Sequence, residues 1–309
     1  MSHNQCEDHS NNNQKEEILQ KLREQLHRDG FVKIPKSIFY LDSDTVETLR
    51  ERFDHLFQGK FETGIYPDEI HWRQGISRPD ATREICNGWK ADTEIYKAVA
   101  SKALGQLACR LMDWTSSRIG QDDVLHKPPR GGGPVAFHQD AAYISDNFIP
   151  QENNCLTMWM ALDDADAETG ALQYAPGSHL WKQKQEKEST DDKDNDNINL
   201  LSFHVPAGED YLTPLRQAAK RAKIDPEEAV ASIQTISVPT GEMVVHRQDV
   251  WHGSGPNISE TRHRRSLVAH ILDGQVQWQT NPHYIYGRYY IRGEMVPRED
   301  FFPISYSTR

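Results

Sequence analysis

Two histidines and one carboxylate carry the strongest chemical signal in the sequence. His138 and Asp140 stand together in Phe137-His138-Gln139-Asp140, and His252 follows far downstream in Trp251-His252-Gly253-Ser254-Gly255-Pro256-Asn257. Two imidazoles and a carboxylate on one face of a metal form the facial triad, which suits non-haem iron(II) and leaves the opposite positions open for reactants. The spacing has a physical reading. Side chains alternate along a strand, so His138 and Asp140 would share a face and Gln139 would point the other way. The distal histidine must then come from another strand folded alongside. His246 competes with His252 for that place, because an even offset along a continuous strand would put both on one face. With 14 His and 46 acidic residues in the chain, an isolated H-x-D has little weight, and the downstream histidine motif is what raises it.

The elements that must position these residues are legible as periodicity. Residues 1–14 are polar and Asn-rich and are expected to be a disordered tail, with a single domain over 15–309. Ile18, Leu19, Leu22 and Leu26 recur at helical spacing, Gly30 stops that helix, and Phe31–Ile34 reads as a strand. Ser43 is a candidate N-cap for a second helix striped by Val46, Leu49, Phe53 and Leu56 and ended by Gly59. A third helix is expected from about Asp92 to Trp114. From Val124 the pattern changes to strands, at 156–162, 171–174, 232–238, 243–246 and 266–272, separated by Gly and Pro turns. Short strands of this kind suggest an antiparallel sandwich. Residues 182–199 interrupt them with a low-complexity polar run, read as a solvated insertion more than as a lid. A short helix with Pro214 in its first turn follows.

Several motifs in order carry a likeness: Asp29-Gly30-Phe31, Lys127-Pro128-Pro129, Phe137-His138-Gln139-Asp140, Trp159-Met160-Ala161-Leu162-Asp163, Glu168-Thr169-Gly170, Ala175-Pro176-Gly177-Ser178-His179, and His252-Gly253-Ser254 running on to Arg264-Arg265-Ser266-Leu267. Over roughly residues 17–275 the chain resembles the phytanoyl-CoA dioxygenase family of iron(II)- and 2-oxoglutarate-dependent oxygenases. That resemblance implies a mainly β fold with flanking helices, a double-stranded β-helix or jelly roll with the metal at its mouth. It favours His252 over His246 as the distal ligand, so that His138, Asp140 and His252 hold Fe(2+), and it puts His179 in a turn. It implies that 2-oxoglutarate and molecular oxygen are co-substrates and that an arginine holds the distal carboxylate. Arg264 fits that arginine, with Arg262 and Arg265 as rivals because the loop after His252 is longer than the usual pattern. Ser254, Trp159 and Gln139 are the further candidate co-substrate contacts, and Lys90 is the nearest match to an upstream family lysine. The implied reaction decarboxylates 2-oxoglutarate to succinate and hydroxylates an unactivated carbon of a small-molecule or lipid-like substrate. The presence of Asp140 argues against halogenation, which needs that coordination position. Two alternatives remain: a catalytically silent jelly-roll binding module, and a cupin-like enzyme using zinc or manganese. Trp72, Arg73, Trp89, Tyr143 and Phe148 are candidates to face either substrate or core.

Composition narrows the partners. A net charge of −11 and a pI of about 5.7 disfavour nucleic acid, and no basic cluster interleaved with aromatics occurs. No apolar run is long enough to span a bilayer. Cys6, Cys86, Cys109 and Cys155 form no C-x-x-C pair, which fits a reducing compartment. Neither terminus resembles a secretory signal or a peroxisomal address, so a cytoplasmic protein acting on a small molecule is expected.

Overall fold

The computed structural model describes residues 3–181 and 210–308. Helix α1 (His3–Asp29) leads into β1 (Phe31–Ile34), and α2 (Ser43–Phe57) follows. Next come β2 (Glu69–Ile70), β3 (Arg83–Cys86), α3 (Thr93–Val99) and α4 (Lys102–Met112). Then follow β4 (Ser116–Lys127), β5 (Val135–His138), β6 (Phe148–Ile149), β7 (Cys155–Ala161) and β8 (Leu172–Tyr174). Helices α5 (Thr213–Arg221) and α6 (Pro226–Ala231) precede β9 (Gln234–Thr235), β10 (Met243–Arg247), β11 (His252–Ser254) and β12 (Arg264–Asp273). The chain closes with β13 (Gln277–Trp278), α7 (Tyr284–Gly287) and β14 (Ile304–Ser307).

Among the described residues the large sheet runs β1-β10-β7-β12-β4-β3-β2, with β14 also paired to β4, and a smaller sheet runs β5-β11-β8-β9. These antiparallel sheets face one another as a jelly roll, the expected fold. Alternation along β7 shows how the layers divide. Leu156, Met158 and Met160 pack outward against Leu49, Phe53, Leu104 and Leu22 of the helices. Trp159 and Ala161 pack inward with Val244, Val268 and Tyr174, between the sheets. Both faces of β7 are therefore buried, which is why it reads as a continuous apolar run.

Several boundaries differ from the sequence reading. Helix α1 begins at His3, so the backbone expected as a disordered tail continues the helix; once a nucleus exists, each added residue needs no new nucleation. The N-cap of α2 is Asp42, whose carboxylate accepts from Thr45 N at 2.8 Å, and Ser43 is the first helical residue. The single helix expected over 92–114 is two helices. Ser101 adopts an extended backbone and caps α4, and the apolar stripe hid the break because it continues across it. The strand pattern starts at Ser116, earlier than Val124. The polar insertion at 182–199 lies outside the described residues. No helix among the described residues is long and apolar enough to cross a membrane.

Candidate active site

Strand register brings the two histidines together. β11 pairs with β5 so that His252 lies opposite His138, and their ring centroids are 4.3 Å apart. Gly253 allows this approach, since a Cβ there would sit 2.8 Å from the Phe137 ring and 2.9 Å from the Val135 carbonyl. Asp140 does not lie on the strand, as simple alternation expects. β5 ends at His138, Gln139 stays extended, and Asp140 opens a 3-10 turn. The turn still delivers the carboxylate: Asp140 Oδ1 is 3.5 Å from Nε2 of both His138 and His252. One ligand atom from each of the three lies within 4.8 Å of the others.

The histidine tautomers follow from their partners. His138 Nδ1 is 2.8 Å from the Ala136 carbonyl and His252 Nδ1 is 3.0 Å from the Val250 carbonyl. A carbonyl only accepts, so each Nδ1 carries a proton and each Nε2 faces Asp140 Oδ1. Asp140 is anchored in turn. Tyr143 donates to Oδ1 at 2.7 Å, and Thr157 Oγ1 at 2.5 Å and His246 Nε2 at 3.1 Å reach Oδ2. Burial alone would raise the Asp140 pKa, but His252, His138 and His246 hold it well below the usual carboxylate range. Burial, with His246 and His138 close by, holds His252 well below the ordinary histidine value. Two imidazoles held through Nδ1 and one anchored carboxylate are the donor set a divalent metal takes.

The rival distal ligand is otherwise engaged. His246 sits on β10, a different strand from His252, and its Nδ1 is 2.9 Å from the Tyr174 hydroxyl while Nε2 contacts Asp140. Behind Asp140 the network continues through Thr157. Its hydroxyl donates to Asp140 and is 2.9 Å from His270 Nδ1, and His270 Nε2 is 2.8 Å from Asp123. Because Thr157 spends its one proton on Asp140, it must accept from His270. Burial opposes the His270 charge, but Asp123 outweighs it and holds the imidazole well above its ordinary pKa.

These residues line a cavity of about 940 Å³ that also includes Arg264, Ser254 and Trp159. The three arginine candidates separate by their partners. Arg262 binds Asp166 at 2.7 Å and also meets Glu168. Arg265 makes a bidentate pair with Asp163 at 2.8 and 2.9 Å. Arg264 is 2% exposed, has Ser266 Oγ at 3.0 Å from Nη1, and leaves Nε buried without a hydrogen-bond partner. Burial pulls its pKa down to about 10. Its guanidinium carbon lies 5.4 Å from the Trp159 ring centroid, and the Trp159 indole N–H is likewise buried without a partner. Two unspent donors on neighbouring strands call for an acceptor in the cavity.

Lys127, quoted in the sequence only as part of a motif, deepens this basic end. It is directly opposite Arg264 in the ladder, fully buried, and donates to Ser254 Oγ at 2.7 Å and to the Gly255 carbonyl. Burial and the nearby guanidinium push its pKa well down. Lys127 donates to the Ser254 oxygen, which leaves the serine proton for the cavity. Gln139 is not brought to the cavity: its amide donates to the Asp249 carbonyl on the outer side, as alternation from His138 dictates. Lys90 pairs with Asp68 and Tyr289 outside the cavity. His179 contacts the His27 carbonyl in the turn after β8. Of the aromatic candidates Tyr143 lines the cavity, whereas Phe148 packs with Trp278 and Phe302 and Trp72 with Phe57.

The sequence model of the phytanoyl-CoA dioxygenase family matches residues 26–266, most of the chain. The chain belongs to that family. Among relatives of the phytanoyl-CoA dioxygenase family, a phytanoyl-CoA dioxygenase domain-containing protein 1 from Danio rerio is 28% identical over 119 residues, covering 38% of this chain and 39% of the relative. A probable alpha-ketoglutarate-dependent hypophosphite dioxygenase from Stutzerimonas stutzeri is 28% identical over 168 residues, covering 52% and 49%. The matches thus span less than half the length of either relative. Solved structures give the same fold. The non-heme alpha ketoglutarate dependent carbocyclase SnoK aligns with a TM-score of 0.65 at 20% identity, covering 92% of this chain and 95% of its own. EctD from S. alaskensis with 2-oxoglutarate and 5-hydroxyectoine aligns at 0.61 and 17%, covering 90% and 84%.

Proposed function

We propose that this member of the phytanoyl-CoA dioxygenase family is an iron(II)- and 2-oxoglutarate-dependent oxygenase that hydroxylates a small molecule. The observation that carries the reading is the pairing of a preset donor set with unspent anion-binding groups in one cavity. His138, Asp140 and His252 would hold the metal, and the carbonyls of Ala136 and Val250 already fix the two imidazoles through Nδ1. Arg264 would receive the distal carboxylate of 2-oxoglutarate, with the Ser254 hydroxyl and the Trp159 N–H as further donors and Lys127 orienting the serine. A planar guanidinium matches a carboxylate in two hydrogen bonds, and its desolvated setting strengthens them. Bound there, iron and 2-oxoglutarate would supply oxygen-dependent attack on an unactivated C–H bond. The chain's part is to orient the ligands through Tyr143, Thr157 and His246, and to keep the co-substrate end dry with Leu125, Leu172 and Val268. A carboxylate ligand at Asp140 leaves no position for a halide once a bidentate keto acid and oxygen are counted, which favours hydroxylation. Structural neighbours that are an epimerase and a carbocyclase make the product outcome worth measuring.

The test has two parts. Iron(II) binding under anaerobic conditions should be lost in His138→Ala, Asp140→Ala and His252→Ala, with the circular dichroism spectrum kept. Metal loss in His246→Ala but not in His252→Ala would reverse the distal assignment. With iron, 2-oxoglutarate and a turned-over substrate, succinate should form and the product should carry oxygen from labelled O2. A chlorinated product, or label from water alone, would sink the hydroxylase reading.

A further inference from the structure

The cavity has a second polar wall on the far side of β4 from Arg264. β3 pairs with β4 so that Glu84 lies opposite Leu125 and Cys86 opposite Asp123. Opposite residues of an antiparallel ladder share a face, and Glu84, Leu125 and Asp123 all line the cavity. The acids of this lining have partners with one exception. Asp80 pairs with Arg78, and Glu260 with Arg130. Asp140 is held by Tyr143 and Thr157. Asp123 accepts from Gln121 at 2.7 Å and from His270 at 2.8 Å. Among them, within the described residues, only the Glu84 carboxylate has no hydrogen bond and no ion pair; the Glu84 backbone carbonyl accepts from His71 N at 3.0 Å. A half-buried carboxylate on the cavity wall without a donor is unfavourable, and desolvation together with Asp123 pushes the Glu84 pKa up to about 8.

We propose that Glu84 is the recognition point for a substrate carrying a basic nitrogen, an ammonium or amidinium group, bound in the cavity beside the iron ligands. The inference rests on the oxygenase reading only in taking this cavity as the substrate chamber. A cation there satisfies the one unspent acid of the lining through a charge-assisted hydrogen bond. An anionic group would instead meet Glu84 with Asp123 behind it. A metal ion is the less fitting occupant, although atoms of Glu84, Cys86 and Asp123 lie within 4.8 Å of one another. Asp123 is already committed to His270 and Gln121. The Cys86 thiol is pushed well up by burial and by Asp123 and Glu84, and Tyr284 hydrogen-bonds to it. Cys86, Asp123, His270 and Tyr284 are titratable groups around Glu84, and so is His71, which lies opposite it beside β2, donates its backbone N–H to the Glu84 carbonyl at 3.0 Å and lines the same cavity.

Calorimetry on the full chain tests this with butyl-, hexyl- and benzylammonium, the matching alcohols and the matching carboxylates, on metal-free protein and on protein loaded anaerobically with iron(II) and 2-oxoglutarate. At least one ammonium probe should bind roughly tenfold or more tightly than its alcohol and carboxylate, the scale of one charged hydrogen bond. Glu84→Gln should remove that preference and leave alcohol binding and iron(II) affinity unchanged, and Glu84→Asp should retain part of it. Near neutral pH, binding of the cation should release a proton, so the apparent enthalpy should follow the buffer's ionisation enthalpy in the unmutated protein and not in Glu84→Gln. Binding of none of the three ammonium probes, equal affinity for the alcohols, or an unchanged preference in Glu84→Gln overturns the proposal. So does Glu84-dependent binding of zinc(II) alone that excludes the ammonium probes. Ammonium selectivity in a protein that binds neither iron nor 2-oxoglutarate would leave this inference standing and remove the oxygenase reading instead.

Discussion

At the residue scale, what separates equivalent side chains is whether their hydrogen bonds are already spent. Three arginines lie within four positions on and before β12, and two of them are occupied by Asp166, Glu168 and Asp163. Removing the unspent one should matter most for the co-substrate. Arg264→Ala should raise the apparent 2-oxoglutarate constant by at least roughly thirty-fold, as expected for truncating one side of a desolvated charged pair at about 2–5 kcal/mol. Arg262→Ala and Arg265→Ala should change it far less, and titrating 2-oxoglutarate against the three variants decides between them. Thr157 makes a different kind of contribution, because it touches a candidate metal ligand and not the metal. Thr157→Val keeps the shape, removes a hydrogen bond to Asp140 Oδ2, and should weaken iron(II) affinity on the order of tenfold, the usual scale for groups that orient ligands. Unchanged affinity in an anaerobic titration would mean that Tyr143 and His246 suffice to hold Asp140.

At the element scale, the site is a product of pairing between strands far apart in the chain. The β5–β11 ladder supplies both histidines, and β4–β12 supplies Lys127 opposite Arg264. Inward positions of β12 alternate as Arg264, Ser266, Val268 and His270, a polar pattern inside a buried strand, and that alternation is a signal that could have marked His270 as part of the site. Strand β3, between β4 and β2, has an energetic consequence through Glu84. Its folded pKa of about 8 stands above the ordinary value of 4.5, so the folded chain keeps a proton that the unfolded chain gives up. Stability contributed at this position is therefore highest below about pH 4.5, falls as pH rises toward 8, and levels off above it. Glu84→Gln removes this dependence. Urea midpoints of the variant and the unmutated protein should be similar near pH 5, with the variant gaining by pH 8.5; parallel midpoints across that range would show that Glu84 is solvated.

At the scale of the whole molecule, the large sheet divides two tasks. Its outer face packs α1, α2 and α4 into the main apolar core, and its inner face carries the polar site. Ligands on the inner face should thus stabilise the barrel without altering the helix layer. Iron(II) and 2-oxoglutarate should raise the melting temperature together by more than either alone, since each at about a hundred times its dissociation constant adds about 2.7 kcal/mol and the metal completes the keto-acid site. Arg264→Ala should keep the iron increment and lose the 2-oxoglutarate one. A 2-oxoglutarate shift that persists in Asp140→Ala without metal would break the link between the two.

The sequence by itself determined the elements whose periodicity is strong and the residues whose spacing is distinctive. The stripe Val46-Leu49-Phe53-Leu56 and the continuous apolar run of β7 carry local patterns and are found where those patterns point, whereas the H-x-D meets the distant His252 within 4.8 Å through a turn and not along one strand. Tertiary structure decided the rest, because it depends on which strands become neighbours. No local pattern tells that β5 ends at His138 and hands Asp140 to a turn, that His246 is claimed by Tyr174 and Asp140, or that Lys127 stands opposite Arg264. The same holds for Glu84, an ordinary acid in sequence that becomes distinctive only when the neighbouring strands enclose it and supply no donor.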